Sequence, residues 1–146
     1  MNILFLCVGN SARSQIGEGL AKDMLPKHFD IRSAGSDPAN QVHEDAIYVM
    51  NEIGIDISSN KPKSINSIDK DFMDKLDYVI TLCAEEVCPV VPESTNVLHW
   101  PNVDPDNDNY SKVQSITAFT KTRDDIFKLL KKFFTEALWN LRVNFL

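Results

Sequence analysis

The chain predicts an α/β fold: a single domain with a four-stranded parallel sheet and helices on both faces. Two observations predict it. Short apolar runs alternate with segments of helical periodicity, and alternating β and α elements imply parallel strands joined by helical crossovers. The length, 146 residues with 43% hydrophobic content, suits one core, since domains commonly run to about 100–150 residues.

Asn2–Val8 is an apolar run bounded by Gly9-Asn10, the pattern of a strand buried on both faces. From Arg13 to about Leu25 the spacing is helical, with Ile16, Leu20 and Met24 on one side and Pro26 as a stop. Phe29–Ala34 is a second strand ending at Gly35. Val42, Ala46, Ile47, Met50 and Ile53 then outline an amphipathic helix that stops at Gly54. Asp77–Leu82 is the clearest strand, and Thr95–His99 is the fourth. Ile116, Phe119, Ile126, Phe127, Leu130, Phe133 and Phe134 mark a long final helix.

Composition excludes several classes of function. With 15 basic and 21 acidic residues the net charge is −6, the wrong sign for a surface that wraps nucleic acid. No stretch approaches the roughly 20 apolar residues of a membrane span. Met1 runs directly into Asn2-Ile3-Leu4-Phe5-Leu6 without the features of a signal peptide. A cytoplasmic protein is expected, and there three cysteines point to catalysis or redox cycling rather than to structural disulfides.

The chemistry concentrates in Cys7-Val8-Gly9-Asn10-Ser11-Ala12-Arg13-Ser14, between the first strand and the first helix. Ligands of such sheets sit beyond the carboxyl ends of the strands. A strand-to-helix turn aims backbone N–H groups into one concavity, and the positive end of the helix adds to the field, so a tetrahedral oxyanion is held without a metal. Gly9 is expected to supply a backbone conformation closed to other residues. Arg13 closes the ring with a planar fork for two anion oxygens. Arg13 and the helix N-terminus favour the thiolate of Cys7, and the Ser14 hydroxyl can bond its sulfur. The substrate-binding residues are therefore Val8, Gly9, Asn10, Ser11, Ala12 and Arg13, with Cys7 as nucleophile. A small buried core cysteine is the competing reading of Cys7. Gly-Lys-Ser/Thr is absent from this stretch, so a nucleotide-binding loop is not supported.

Cys83 directly follows the third strand, and neighbouring parallel strands would bring it beside Cys7. Cys88 lies five residues further on. These thiols are either redox-active, inert, or two ligands of a metal; zinc normally takes four ligands, and the only histidines are His28, His43 and His99. Asp104-Pro105 sits in a polar loop, where composition alone reads Asp104 as a solvated loop aspartate.

Taken together, Cys7-Val-Gly-Asn-Ser-Ala-Arg13-Ser14-Gln15, Ser33-Ala34-Gly35, Gly54-Ile-Asp56-Ile-Ser58, Val79-Ile-Thr81-Leu-Cys83, Cys88-Pro89 and His99-Trp100 with Asp104-Pro105 resemble the arsenate reductases built on the low-molecular-weight tyrosine phosphatase fold. Gln15, where the phosphatases usually carry proline, and the two later cysteines point toward arsenate. The resemblance implies a thiol relay without a cofactor. Cys7 attacks arsenate, Cys83 attacks Cys7 and releases arsenite, and Cys88 moves the disulfide to Cys83–Cys88 for a thioredoxin-like or other thiol reductant. It also implies Asp104 as general acid. Asp106 stands where tyrosine phosphatases more often present an aromatic residue. Some relatives hold potassium through the counterparts of Asn10, Glu18, Ser33 and a further carboxylate. Lys61-Pro62-Lys63 occupies that last region, so no metal is expected, and Asn10 and Ser33 are expected to brace the loop. The resemblance reaches about Phe134. Residues 135–146 form a C-terminal extension expected to pack on the body, with self-association as the alternative; a monomer is expected. A low-molecular-weight phosphatase acting on phosphate monoesters is the alternative enzyme.

Overall fold

The computed structural model describes residues 1–84 and 95–144. Four parallel strands, β1 (Asn2–Cys7), β2 (Asp30–Gly35), β3 (Tyr78–Cys83) and β4 (Asn96–Asn102), lie in the order β2-β1-β3-β4. Between and after them run α1 (Arg13–Met24), α2 (Glu44–Asn51), a 3₁₀ turn (Ile65–Ser67), α3 (Lys70–Asp74) and α4 (Lys112–Asn144).

The central strands β1 and β3 are covered on both faces, which is why their sequences are near-continuous apolar runs. Ile3 and Phe5 of β1 and Ile80 and Leu82 of β3 face α1, α2 and α4. Leu4, Leu6 and Val79 face the other way, against Phe72 of α3. That second layer is thin, and its 3₁₀ turn and five-residue helix were not expected from sequence. Elsewhere the predicted elements are found, with ends shifted by a residue or a few. Cys83 is the last residue of β3 rather than the residue after it, and α2 ends at Asn51, leaving Ile53 exposed. Gly54 adopts a φ of +80° just beyond the helix, the conformation glycine provides most readily. Phe127 is 42% exposed, so the apolar face of α4 passes through Phe119, Ile126 and Leu130 instead. The helix runs unbroken into residues 135–144, where Glu136, Ala137 and Asn140 line a groove with Leu98 and Trp100.

Asp45, 3% exposed at the start of α2, ties that helix to α4 through Lys112 and Ser115. Burial alone would raise its carboxyl pKa. Hydrogen bonds from Lys112 and Ser115, with the charge of Lys112, outweigh burial and hold it below the ordinary value. A folded value below the unfolded one adds stability at neutral pH, which is lost as pH falls through the folded value, below about 4. Asp45→Asn should therefore cost about 2 kcal/mol at pH 7. Urea unfolding at pH 7 and pH 3 checks this, and the gap to wild type should narrow at pH 3.

Candidate active site

The loop after β1 is shaped by its neighbours. The carbonyls of Val8, Gly9 and Ser11 accept the backbone N–H groups of Asp37, Ala39 and His43 at 3.0, 2.9 and 2.9 Å. In a trans peptide the N–H points opposite to the preceding carbonyl, so the amides of Gly9, Asn10 and Ala12 turn the other way. The Asn10 amide does so visibly, reaching Cys7 Sγ at 3.3 Å. Ala12 occupies the N-cap of α1 and has no side-chain acceptor, which leaves the first amides of the helix to an anion. An ordered wall thus holds these carbonyls outward and leaves the inner side of the loop to its N–H groups.

Gly35 is required by this wall. A Cβ there would lie 2.2 Å from Val8 O and 3.1 Å from Asn10 N, both backbone atoms. Gly35→Ala should displace the loop, costing about 1–3 kcal/mol of stability and weakening phosphate binding. Calorimetric titration with phosphate and thermal unfolding test both parts. The left-handed residue of the loop is Asn10, with φ 47°, and not Gly9 as expected; a Cβ on Gly9 would meet only Ser11 Oγ at 3.4 Å. Asparagine tolerates that conformation better than most residues, and a dense network holds it here.

That network fixes the direction of the bond to Cys7. Asn10 Nδ2 donates to Ser14 Oγ at 2.7 Å and to Ser33 Oγ at 2.9 Å. Asn10 Oδ1 accepts from Lys63 N at 3.0 Å and Gln15 Nε2 at 3.2 Å, and Asn60 Nδ2 holds Gln15 Oε1 at 3.1 Å. With its oxygen engaged as acceptor, Ser14 has its one proton available for Cys7 Sγ, 2.9 Å away. The sulfur thus faces two donors, Ser14 and the Asn10 amide. Asn10 and Ser33 brace the loop, as expected. The Asn10 side chain is fully buried in this bracing network, so only its backbone amide faces the pocket side of the loop.

Behind the loop, buried Glu18 has Lys22 Nζ at 3.2 Å and Lys63 Nζ at 3.8 Å. Burial lowers the pKa of Lys63, with Glu18 pulling the other way.

Cys7, Val8, Gly9, Ser11, Ala12 and Arg13 line one pocket together with Ala39, Asp104 and Asp106. Arg13 is 3% exposed; its Nη1 donates to Asn102 O at 3.0 Å and its Nη2 lies 3.5 Å from Asp104 Oδ2. Asp104 therefore stands at the pocket of Cys7 and Arg13, although 49% of its side chain is exposed. Cys83 is buried at the end of β3, the strand paired with β1 from Ile3↔Tyr78 to Leu6↔Thr81. Cys88 lies outside the described residues. Sequence reasoning gave no role to Ala39, His43 or Asn60, and used Gln15 only as a mark of resemblance. The contacts of Asn60 and Lys63 with the loop arise from folding across long sequence separations, so no local signal marks them.

The model of the low molecular weight phosphotyrosine protein phosphatase family matches residues 2–141. The chain belongs to that family. Within it, an arsenate reductase of Halalkalibacterium halodurans is 40% identical over 133 residues, covering 90% of this chain and 93% of that protein. Among solved structures, an arsenate reductase in the phosphate-binding state superposes with a TM-score of 0.76 at 29% identity, covering 92% of this chain and 97% of that one. A thioredoxin-dependent arsenate reductase of Corynebacterium glutamicum has a TM-score of 0.65 at 30% identity, covering 92% of this chain and 62% of that one. The family's low-molecular-weight phosphatase fold is thus the fold of this chain.

Proposed function

We propose that this member of the family reduces arsenate to arsenite with electrons from its own thiols. The observation that carries this reading is a second buried cysteine, Cys83, at the end of the strand paired with the one that ends in nucleophilic Cys7. A phosphatase needs only the first thiol. Curated relatives carrying the name arsenate reductase add support.

Arsenate occupies the ring of amides from Val8 to Arg13, with two of its oxygens on the Arg13 guanidinium. Cys7 thiolate attacks arsenic, and an arsenate oxygen leaves as water with a proton from Asp104. Cys83 thiolate then attacks the Cys7 sulfur; the S–As electron pair passes to arsenic, which leaves as arsenite. Two thiols have lost two electrons and joined in a Cys7–Cys83 disulfide. Cys88 thiolate attacks Cys83, frees Cys7 and leaves Cys83–Cys88 for a dithiol reductant of the thioredoxin kind. A monomer in the reducing cytoplasm suits such a cycle.

The family's phosphatase activity on phosphate monoesters is the second reading, favoured by Arg13 and Asp104 flanking the nucleophile. Turnover of arsenate with a thioredoxin system, run beside hydrolysis of an aryl phosphate, separates the two. Fast reduction with weak hydrolysis supports the proposal. The reverse selects the phosphatase, and neither activity leaves an oxyanion-binding or redox-sensing protein.

A further inference from the structure

Asp104 rides on an irregular stretch between the end of β4 at Asn102 and the start of α4 at Lys112. Within that stretch, Asp106 N donates to Asp104 Oδ1 at 3.0 Å, which ties the two residues into one turn. The tie from this turn to the anion loop is Arg13, through Asn102 O and Asp104 Oδ2. Arg13 is also the residue that must turn its fork to a bound oxyanion. An Asp104 that carries a proton to the leaving oxygen is neutral, so its charge attraction to Arg13 is absent when it acts. Another contact has to keep the turn over the pocket at that moment.

His43 is placed to do so. Its Nε2 lies 3.4 Å from Asp106 Oδ1. Its backbone N–H holds Ser11 O at 2.9 Å, its Nδ1 accepts the Asp45 amide at 3.0 Å as the cap of α2, and its ring lies against Phe119 at 4.6 Å. A ring fixed at both ends of its backbone turn and on one face has little freedom. Because Nδ1 accepts, the neutral ring carries its proton on Nε2, the nitrogen that faces Asp106. One residue thus joins the anion loop, through Ser11, to the turn that bears Asp104.

We infer that His43 and Asp106 are positioning residues, which hold the Asp104 turn over the anion loop after oxyanion binding has drawn Arg13 away. The inference rests on the reading of Asp104 as general acid. Asp106 thereby has a definite use at a position where the tyrosine phosphatases more often carry an aromatic residue.

Two single variants test it. Asp106→Ala removes the carboxylate. His43→Asn keeps an oxygen able to cap α2 but has no atom where Nε2 lies, so it separates the cap from the tether. Each should lower the single-turnover rate of arsenite formation about fivefold, in keeping with a half-exposed contact, with phosphate still bound within a fewfold of wild type and the protein still folded. Asp106→Asn, whose amide oxygen still accepts from Nε2, should recover most of the rate. The double variant His43→Asn/Asp106→Ala should be no slower than either single one. Asp104→Ala is measured alongside. If it costs a hundredfold while His43→Asn and Asp106→Ala keep the wild-type rate, or if their losses multiply, the tether is overturned and the acid stands. Wild-type rate in Asp104→Ala overturns both.

Discussion

Cys7→Ser should abolish arsenate reduction, lowering the single-turnover rate by about 10⁴-fold or more, because the nucleophile of a catalytic unit is indispensable. A serine hydroxyl does not ionise near neutral pH where a thiolate does, and nothing in the pocket would serve it as a strong base. Ser14 and the Asn10 amide both donate toward position 7; as donors they cannot take up a proton from serine. Oxyanion binding, by contrast, should survive. The ring of amides is held by Asp37, Ala39 and His43, and Arg13 by Asn102, none of which involves the sulfur. Phosphate titrated into Cys7→Ser should bind within a fewfold of wild type while arsenite formation is lost. Arsenite formation within tenfold of wild type would place the nucleophile elsewhere.

The residues that made the fold legible are those whose burial is uniform. β1 and β3 are covered on both faces, so a run such as Tyr78-Val-Ile-Thr-Leu-Cys83 announces itself. α3 did not, because five residues give barely more than one turn, and its single buried side chain, Phe72, establishes no period. The juxtaposition of Cys7, Arg13 and Ser14 was legible because they are close in sequence and the strand-to-helix junction fixes their relation. Asp104 was legible only by resemblance, and its contact with Arg13 depends on β4 ending beside β3. The exchange of Gly9 for Asn10 as the left-handed residue has a plain cause. Composition favours glycine at such a place, but the Asn10 conformation is set by Ser14, Ser33, Gln15 and Lys63, all four bonded by its side chain and two of them reached from distant parts of the sequence. His43 escaped notice since capping by a histidine ring nitrogen is less familiar than capping by serine, threonine, aspartate or asparagine.

Cys88→Ser should release about one arsenite per enzyme molecule and stop, which separates a relay from a phosphatase more sharply than any other single substitution. In the proposed cycle Cys7 and Cys83 complete the reduction between them, and Cys88 only carries the disulfide outward. The pairing of β1 with β3 brings the two backbones close: adjacent strands lie about 4.8 Å apart. Register places Leu6 beside Thr81, so Cys83 lies one residue beyond the position level with Cys7. A step of one residue along a strand adds about 3.3 Å, giving a Cα separation near 6 Å by sheet geometry, but side chains alternate, so Cys7 shares the face of Phe5 and Cys83 that of Val79, and the bond requires the end of β3 to turn. Both cysteines are buried, at 2% and 1% exposure, so a bond between them is poorly placed for attack by a large dithiol protein. The stalled Cys88→Ser enzyme should therefore hold a Cys7–Cys83 disulfide, detectable by peptide mapping after arsenate is added to fully reduced protein. A small thiol such as glutathione, able to enter where a protein cannot, should restart turnover slowly if added in excess. Multiple turnovers at the wild-type rate with thioredoxin alone would sink the relay, because the disulfide would then be reduced without its carrier.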